Sequence, residues 1–207
     1  MSTRTIVVLF ACLCVAGCED SENPLSDPQC AKSDNRLVGL WRVLGEDGDV
    51  GYYHIGQPDA KLPSGVLRVV EVTHNRKGKL SSPEEFLAFS TTLGDKTYLN
   101  VTDVKGHRAR LIEENGWKPE TVDSYIILRY QVDGNGLLVW MMDAEAKEQA
   151  IETRKVNGKI AKKGRSFDGP AKFTDTSEKL ARFVIDAGDS LFVKKPLRFE
   201  RVEEPKK

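Results

Sequence analysis

The chain has 207 residues, of which 40% are apolar and 30% are charged. This composition fits one folded domain of ordinary size with a leader, and it excludes a largely disordered chain. Lys plus Arg and Asp plus Glu both number 31, so the net charge of zero provides no electrostatic basis for binding nucleic acid.

The first seventeen residues have the pattern of a secretory signal. Arg4 supplies a positive charge, and the thirteen residues from Thr5 to Gly17 contain no charged side chain. A membrane-spanning helix needs about 20 apolar residues, so this run is too short to span and instead fits the apolar part of a signal peptide. Residues 1–17 are therefore predicted to be a signal peptide, and a buried apolar N-terminus is the alternative.

The end of this signal, Val15-Ala16-Gly17-Cys18, resembles the lipobox of bacterial lipoproteins. The resemblance implies that the Cys18 thiol receives a diacylglycerol, that the chain is cleaved before Cys18, and that the new amino group is acylated. It further implies a protein of the cell envelope that is lipid-anchored to a membrane and faces the periplasm or the exterior. The alternative is a generic signal peptide with an incidental cysteine, and the choice between inner and outer membrane stays open.

The remaining cysteines exclude a disulfide framework. Cys12 and Cys14 would leave with the signal, and Cys18 would carry the lipid. Cys30 then has no partner within the mature chain, so it is either free or paired with another chain.

Residues 18–36 are predicted to be a flexible tether that follows the lipidated cysteine. They contain two prolines and few apolar side chains, so they cannot bury enough surface to offset the entropy of ordering. A chain of this length reaches roughly 20–25 Å. We expect it to hold a folded domain, residues 37–203, close to the membrane.

Within that domain, short β-type segments alternate with turns. Leu93-Gly94-Asp95-Lys96 and Asp133-Gly134-Asn135-Gly136 are typical of tight hairpins. Consecutive hairpins predict an antiparallel meander, and eight strands suffice to close a sheet into a barrel. The predicted strands cover residues 37–44, 50–55, 66–73, 85–92, 97–104, 124–132, 137–142 and 197–202.

Two helices are predicted between the last two strands. Asp143 can cap a helix over residues 144–155, and Thr176 can cap one over residues 177–187. The seventh strand is apolar on both faces, so we expect the helices to pack outside the barrel and cover its outer face. An exposed Trp140 at a partner surface is the alternative.

Gly39-Leu40-Trp41 at the start of the first strand, together with eight antiparallel strands, resembles the lipocalin-like (calycin) barrels. In that superfamily a Gly-x-Trp opens the first strand, and the Trp plugs the closed end under an Arg of the last strand. The resemblance implies that Gly39 and Trp41 form such a structural plug with Arg198 or Arg201. The chain departs from the pattern because a Thr-Asp-Tyr motif is missing and because its helices precede the last strand.

The sequence contains no familiar catalytic signature, dinucleotide fingerprint or phosphate-binding loop, so no enzyme and no cofactor are predicted. No histidine has a second His or Cys at ligand spacing, so no metal site is predicted. Tyr52 and His54 share one face of their strand. If that face and Arg129 point into the barrel, these side chains would bind the polar part of a ligand; a hydrogen-bonded structural pair and an outward Arg are the alternatives.

The sequence therefore predicts a mainly β chain with a single lipocalin-like barrel and a non-enzymatic function in the cell envelope. A hollow interior would bind a small amphipathic ligand. An interior filled by Trp41, Phe86 and Phe89 would instead favour a rigid module that binds an envelope protein. The sequence determines neither the ligand nor the oligomeric state.

Overall fold

The computed structural model describes residues 20–45, 48–56, 62–104, 122, 124–160 and 171–203. The strands within these residues are β1 (Gly39–Leu44), β2 (Val50–Gly56), β3 (Val66–His74), β4 (Glu84–Leu93), β5 (Lys96–Asp103), β6 (Ile126–Asp133), β7 (Gly136–Met141), β8 (Gly158–Ile160), β9 (Ala171–Phe173) and β10 (Leu197–Arg201). Eight of them close a barrel in the order β1-β10-β7-β6-β5-β4-β3-β2, and neighbouring strands are antiparallel. The predicted mainly β fold with one closed eight-stranded barrel is confirmed.

Glycine turns set the ends of several strands. Gly94 and Gly134 have φ angles of 62° and 56° in the β4–β5 and β6–β7 hairpins, where the sequence predicted turns. β8 and β9 pair as a separate hairpin that the sequence did not predict. Segments of three residues are too short to show the alternation by which strands are recognised.

Side chains alternate between the interior of the barrel and its outer surface. In β2, Tyr53 and Ile55 point inward and are buried, whereas Tyr52 and His54 point outward and are exposed. The interior is one apolar cluster to which every barrel strand contributes. Its buried members are Leu37, Trp41, Val43, Tyr53, Ile55, Leu67, Ala88, Leu99, Ile126, Leu128, Tyr130, Leu137, Val139 and Phe199.

A second apolar cluster, here called the outer core, lies outside the barrel against β5, β6 and β7. Helices α1 (Ala144–Glu152) and α2 (Ser177–Ala187) pack on it, as predicted. Trp140 points outward from β7 and packs against this cluster rather than standing free. The buried members of the outer core are Leu25, Tyr98, Ile127, Met142, Ala150, Val156, Phe173, Leu180, Val184, Leu191 and Phe192.

Local hydrogen bonds set the ends of α1. The Asp143 carboxylate accepts a hydrogen bond from the backbone N–H of Ala146 at 2.9 Å, which caps the first turn as predicted. The helix ends at Glu152, three residues earlier than predicted. Arg154 there adopts a left-handed φ of 57°, and its N–H returns to the carbonyl of Ile151 at 3.0 Å.

The structure contradicts the flexible tether. The N-terminal segment (residues 20–37) packs along the outside of the barrel as far as its closed end. The N–H groups of Asp20 and Ser21 donate to the carbonyl of Tyr125 at 2.9 and 3.0 Å, and Leu25 is buried in the outer core. The folded domain therefore includes residues that the sequence assigned to a linker. Cys18 and the predicted signal peptide lie outside the described residues.

The segment is ordered because its few apolar side chains and many polar ones have partners far along the chain. The N–H of Leu25 donates to the Asn100 side chain at 2.7 Å, and the hydroxyls of Ser26 and Thr91 lie 2.6 Å apart. Composition counts only the residues of the segment itself, so it could not reveal these partners. Cys30 is exposed and is a free thiol.

Trp41 and Arg201 close the end of the barrel at which β1 begins and β10 ends, here called the closed end. Trp41 is fully buried and donates from Nε1 to the carbonyl of Leu37 at 2.7 Å. The guanidinium carbon of Arg201 lies 4.3 Å from the centre of the Trp41 ring, and Nη1 donates to the carbonyl of Val38 at 2.6 Å. Of the two arginines considered for this position, Arg201 occupies it, and Arg198 is exposed on the outer surface.

Gly39 is required by this arrangement. A Cβ atom at Gly39 would lie 2.4 Å from Nη1 of Arg201, and the φ angle of 139° is one that other residues rarely adopt. We expect Gly39→Ala to lower the free energy of unfolding by about 3 kcal/mol through strain and overpacking. Urea denaturation followed by tryptophan fluorescence measures this loss.

Gly94→Ala is the matched control. Gly94 also has a positive φ, but nothing lies within 4 Å of the position that a Cβ atom would take there, so only the backbone term of about 1 kcal/mol applies. Equal losses in the two variants would show that the Arg201 contact has no steric role.

Candidate functional site

The barrel encloses a cavity of about 80 Å³. Side chains from all eight barrel strands line it, Tyr53, Leu67, Ala88 and Leu128 among them, and its accessible walls are wholly apolar. The volume is about half that of an engineered 150 Å³ cavity that binds benzene, and it lies below the roughly 300–1,000 Å³ of sites for drug-sized ligands. The cavity as it stands fits a short apolar group.

Polar groups seal the closed end below the cavity. The Tyr130 hydroxyl donates to Oδ2 of Asp34 at 2.9 Å and lies 3.0 Å from the hydroxyl of Ser90. Hydrogen bonds from Arg36 hold the pKa of the Asp34 carboxyl below its usual range, and burial raises the pKa of Tyr130 to about 12. At neutral pH this end therefore pairs a carboxylate with a neutral phenol, and it is fixed to the N-terminal segment.

A buried carboxylate lies beside the cavity on its other side. Tyr53, whose ring lines the cavity, donates its hydroxyl to Oε1 of Glu71 at 3.0 Å. Glu71 is 2% exposed and points inward from β3, in register with Tyr53 on β2. Sequence reasoning missed both residues, although Leu67, Val69 and Glu71 alternate along one face of the predicted third strand.

Tyr52 and His54 do not line the interior, so their predicted role in a ligand site is wrong. Both are exposed on the outer surface of β2. The strand turns Tyr53 and Ile55 inward instead because this orientation buries both apolar side chains. Gly51 leaves room for the Tyr53 ring. A Cβ atom at Gly51 would approach that ring to 3.0 Å.

Arg129 also points outward, so the prediction that it binds a ligand inside the barrel is wrong. Its guanidinium carbon lies 4.1 Å from the centre of the Trp140 ring and 5.6 Å from that of Phe192. It forms an ion pair with Asp189, in the turn that follows α2. Arg129 therefore attaches α2 to the barrel wall.

A wider depression of about 740 Å³ lies between α1 and α2. Lys155, Lys179 and Arg182 line it together with Asp175 and Asp186, so its walls carry both signs of charge. Asp175 is buried and accepts hydrogen bonds from Asn157. With Arg154 the lining has four basic and two acidic side chains, so the depression has a basic excess. The barrel cavity, to which all eight barrel strands contribute, is the candidate site for an apolar ligand.

Among the described residues, no group of three or more His, Cys, Asp or Glu side chains is placed to hold a metal ion. Neither α1 nor α2 has the length and hydropathy that crossing a bilayer requires. Comparison of the chain with protein-family models, with curated proteins and with solved structures returned no match.

The closed end makes stability depend on pH through Asp34. Because the pKa of Asp34 is lowered by folding, its contribution is complete above the ordinary aspartate pKa of about 3.9 and is lost as the pH falls through the lowered value. We expect Asp34→Asn to reduce the free energy of unfolding by about 1 kcal/mol at pH 7. The difference from the unsubstituted protein should shrink towards zero in acid.

Urea titrations of both proteins at several pH values check this expectation. Asp133→Asn, at an exposed position in the β6–β7 hairpin, is the control and should leave the unfolding free energy nearly unchanged at each pH. A loss in Asp34→Asn that is independent of pH would contradict a role for the charged carboxylate.

Proposed function

We propose that this chain is a lipid-anchored protein of the bacterial cell envelope, with a lipocalin-like barrel that binds the apolar end of a small amphipathic molecule. The apolar cavity of about 80 Å³ inside the barrel carries the proposal. The lipobox-like sequence ending at Cys18 supports the anchor. The Gly39–Trp41–Arg201 arrangement at the closed end supports the relation to lipocalin-like barrels.

The cavity limits both the size and the strength of binding. An empty cavity of about 80 Å³ costs about 2 kcal/mol of stability, at roughly 24 cal/mol per Å³. Filling it recovers about that amount, which is less than the roughly 4 kcal/mol of a millimolar complex. The polar end of the ligand must therefore contribute, and the buried Tyr53–Glu71 pair, whose Tyr53 ring lines the cavity, is a candidate contact for it.

Native mass spectrometry tests the proposal. The mature chain carrying Cys18→Ser, which cannot receive the lipid, is expressed in a bacterial periplasm and purified without detergent. We expect a non-covalent adduct that is lost on denaturation. In Ala88→Leu the added carbons occupy the cavity, so the adduct should disappear while the melting temperature is kept or raised.

Gln131→Leu is the matched control, because Gln131 is exposed on the outer surface of β6 and should leave the adduct in place. Titration with n-alkyl alcohols gives a second measurement on the unsubstituted protein. We expect them to raise its melting temperature, and not that of Ala88→Leu. A bare mass together with no shift by any alcohol would contradict the proposal.

A patch on the opposite outer surface favours the second candidate, a module that binds an envelope protein. Leu44 and Leu80 are 62% and 60% exposed. The register joins them through Val50 and His74, since Leu44 pairs with Val50, Val50 with His74, and His74 with Leu80. Tyr52 lies on the same surface. We call these five residues the rim patch; the half-buried Val50 and His74 connect its exposed apolar members, Leu44, Tyr52 and Leu80. Exposed apolar side chains that cluster in this way mark protein contacts.

A photo-crosslinking amino acid at position 52 tests this candidate in living cells. We expect a discrete crosslink to an envelope protein that Leu44→Ser with Leu80→Ser abolishes without changing the melting temperature. The same crosslinker at the exposed Gln131 is the control. Identical products from both positions would show random collision rather than a binding surface.

A further inference from the structure

Asp20 is fixed in the fold only two residues after the proposed site of lipid attachment. Asp20 and Lys147 are each 4% exposed, and Nζ of Lys147 lies 2.5 Å from Oδ1 of Asp20. The other carboxylate oxygen accepts a hydrogen bond from the N–H of Ile127 at 2.9 Å. Removing either charge would leave the other buried, so this contact holds the start of the segment in place.

Backbone hydrogen bonds fix the same residues from both sides. On one side, the N–H groups of Asp20 and Ser21 donate to Tyr125, and the N–H of Tyr125 donates to the carbonyl of Ser21 at 2.8 Å. On the other side, the N–H of Phe173 donates to Asp20 at 2.8 Å and that of Glu22 donates to Phe173 at 2.9 Å. Residues 20–22 are therefore held by backbone bridges to Tyr125 on one side and to Phe173 of β9 on the other.

The distance from Asp20 to Cys18 is limited by the covalent chain. Two residues span at most about 7 Å, whereas the predicted tether of residues 18–36 would have reached roughly 20–25 Å. A lipid on Cys18 therefore cannot lie far from the surface around Asp20. With the lipid attached, the barrel must lie directly against the bilayer rather than at the end of a flexible linker.

The direction of the chain indicates which surface meets the bilayer. Ser21 pairs in parallel with Phe173, so the Asp20 end of residues 20–22 lies toward Ala171 of β9. Ile160 of β8 pairs with Ala171, so the same end of the β8–β9 hairpin faces the anchor. Lys159 beside it is 73% exposed, and its ammonium lies 2.6 Å from the Glu22 carboxylate.

We infer that the lipid on Cys18 and the docked residues 20–22 fix the orientation of the barrel on the membrane, with Lys159 and Ile160 of the β8–β9 hairpin among the phospholipid headgroups. This inference rests on the proposed lipid attachment. The Lys159–Glu22 ion pair next to the exposed side chain of Ile160 suits the boundary between zwitterionic headgroups and acyl chains. The docked residues 20–22 contact Tyr125, directly before β6. The strand β2 lies four positions around the barrel from β6, so its outer face then points away from the bilayer.

Fluorescence quenching on the lipidated chain tests the orientation. Two proteins each have one free thiol besides the lipidated Cys18, and that thiol carries an environment-sensitive dye. The thiol is Lys159→Cys in one and Tyr52→Cys in the other, each with Cys30→Ser. Both are placed in vesicles of phosphatidylethanolamine and phosphatidylglycerol that contain a headgroup-labelled nitroxide lipid. We expect quenching several-fold greater at position 159 than at position 52.

A Gly/Ser insertion of about ten residues between Glu19 and Asp20 is the matched control, because it restores a tether and should bring the two positions close to equal quenching. Equal quenching without the insertion, or greater quenching at position 52, would overturn the fixed orientation. The intact mass of each sample separates this from failure of the anchor. A chain that lacks the diacylglycerol mass overturns the anchor and the orientation with it.

Discussion

Pairing between β1 and β10 is the constraint on which the rest of the structure depends. These strands are separated by most of the chain, yet Trp41 lies opposite Arg201 in the register that closes the sheet. The stacked guanidinium binds the carbonyls of Arg36 and Val38, so a single side chain joins the last strand to the segment before the first. Closure removes both edges of the sheet, and it creates the enclosed interior in which a cavity can exist.

Within the described residues, the interior cluster and the outer core share one barrel wall, and a third apolar cluster packs on the outer face of β3 and β4. Its buried members are Leu62, Val66, Leu87, Phe89, Val122 and Tyr125. Strands β5 to β7 contribute side chains to the interior on one face and to the outer core on the other, so this wall is buried on both sides. The outward side chains of β1 and β2 belong to none of these clusters, whereas Val66 at the start of β3 is buried in the third one. Within the described residues, the helices, the β8–β9 hairpin and the N-terminal segment therefore cover one side of the barrel, and the rim patch lies on another side.

Local signals predicted the strands and the helix positions well, because turn glycines and capping side chains act over a few residues. The phase of β2 was harder, since Tyr52 and Tyr53 are adjacent and either choice gives an alternating strand. Tertiary packing decides it, including the contact of Tyr53 with Phe199, whose ring centres lie 5.2 Å apart. The prediction for the N-terminal segment was wrong for a related reason. Asp20 forms an ion pair with Lys147, which lies 127 positions later in the chain, and no local sequence pattern encodes such a partner.

The place of β10 in the chain has a consequence for synthesis. Until Leu197–Arg201 has been made and delivered, β1 and β7 are both unpaired edges, and the sheet is an open ribbon with an exposed apolar face. Such edges pair readily with other chains. The growing polypeptide is therefore vulnerable to self-association until its final barrel strand has been synthesised.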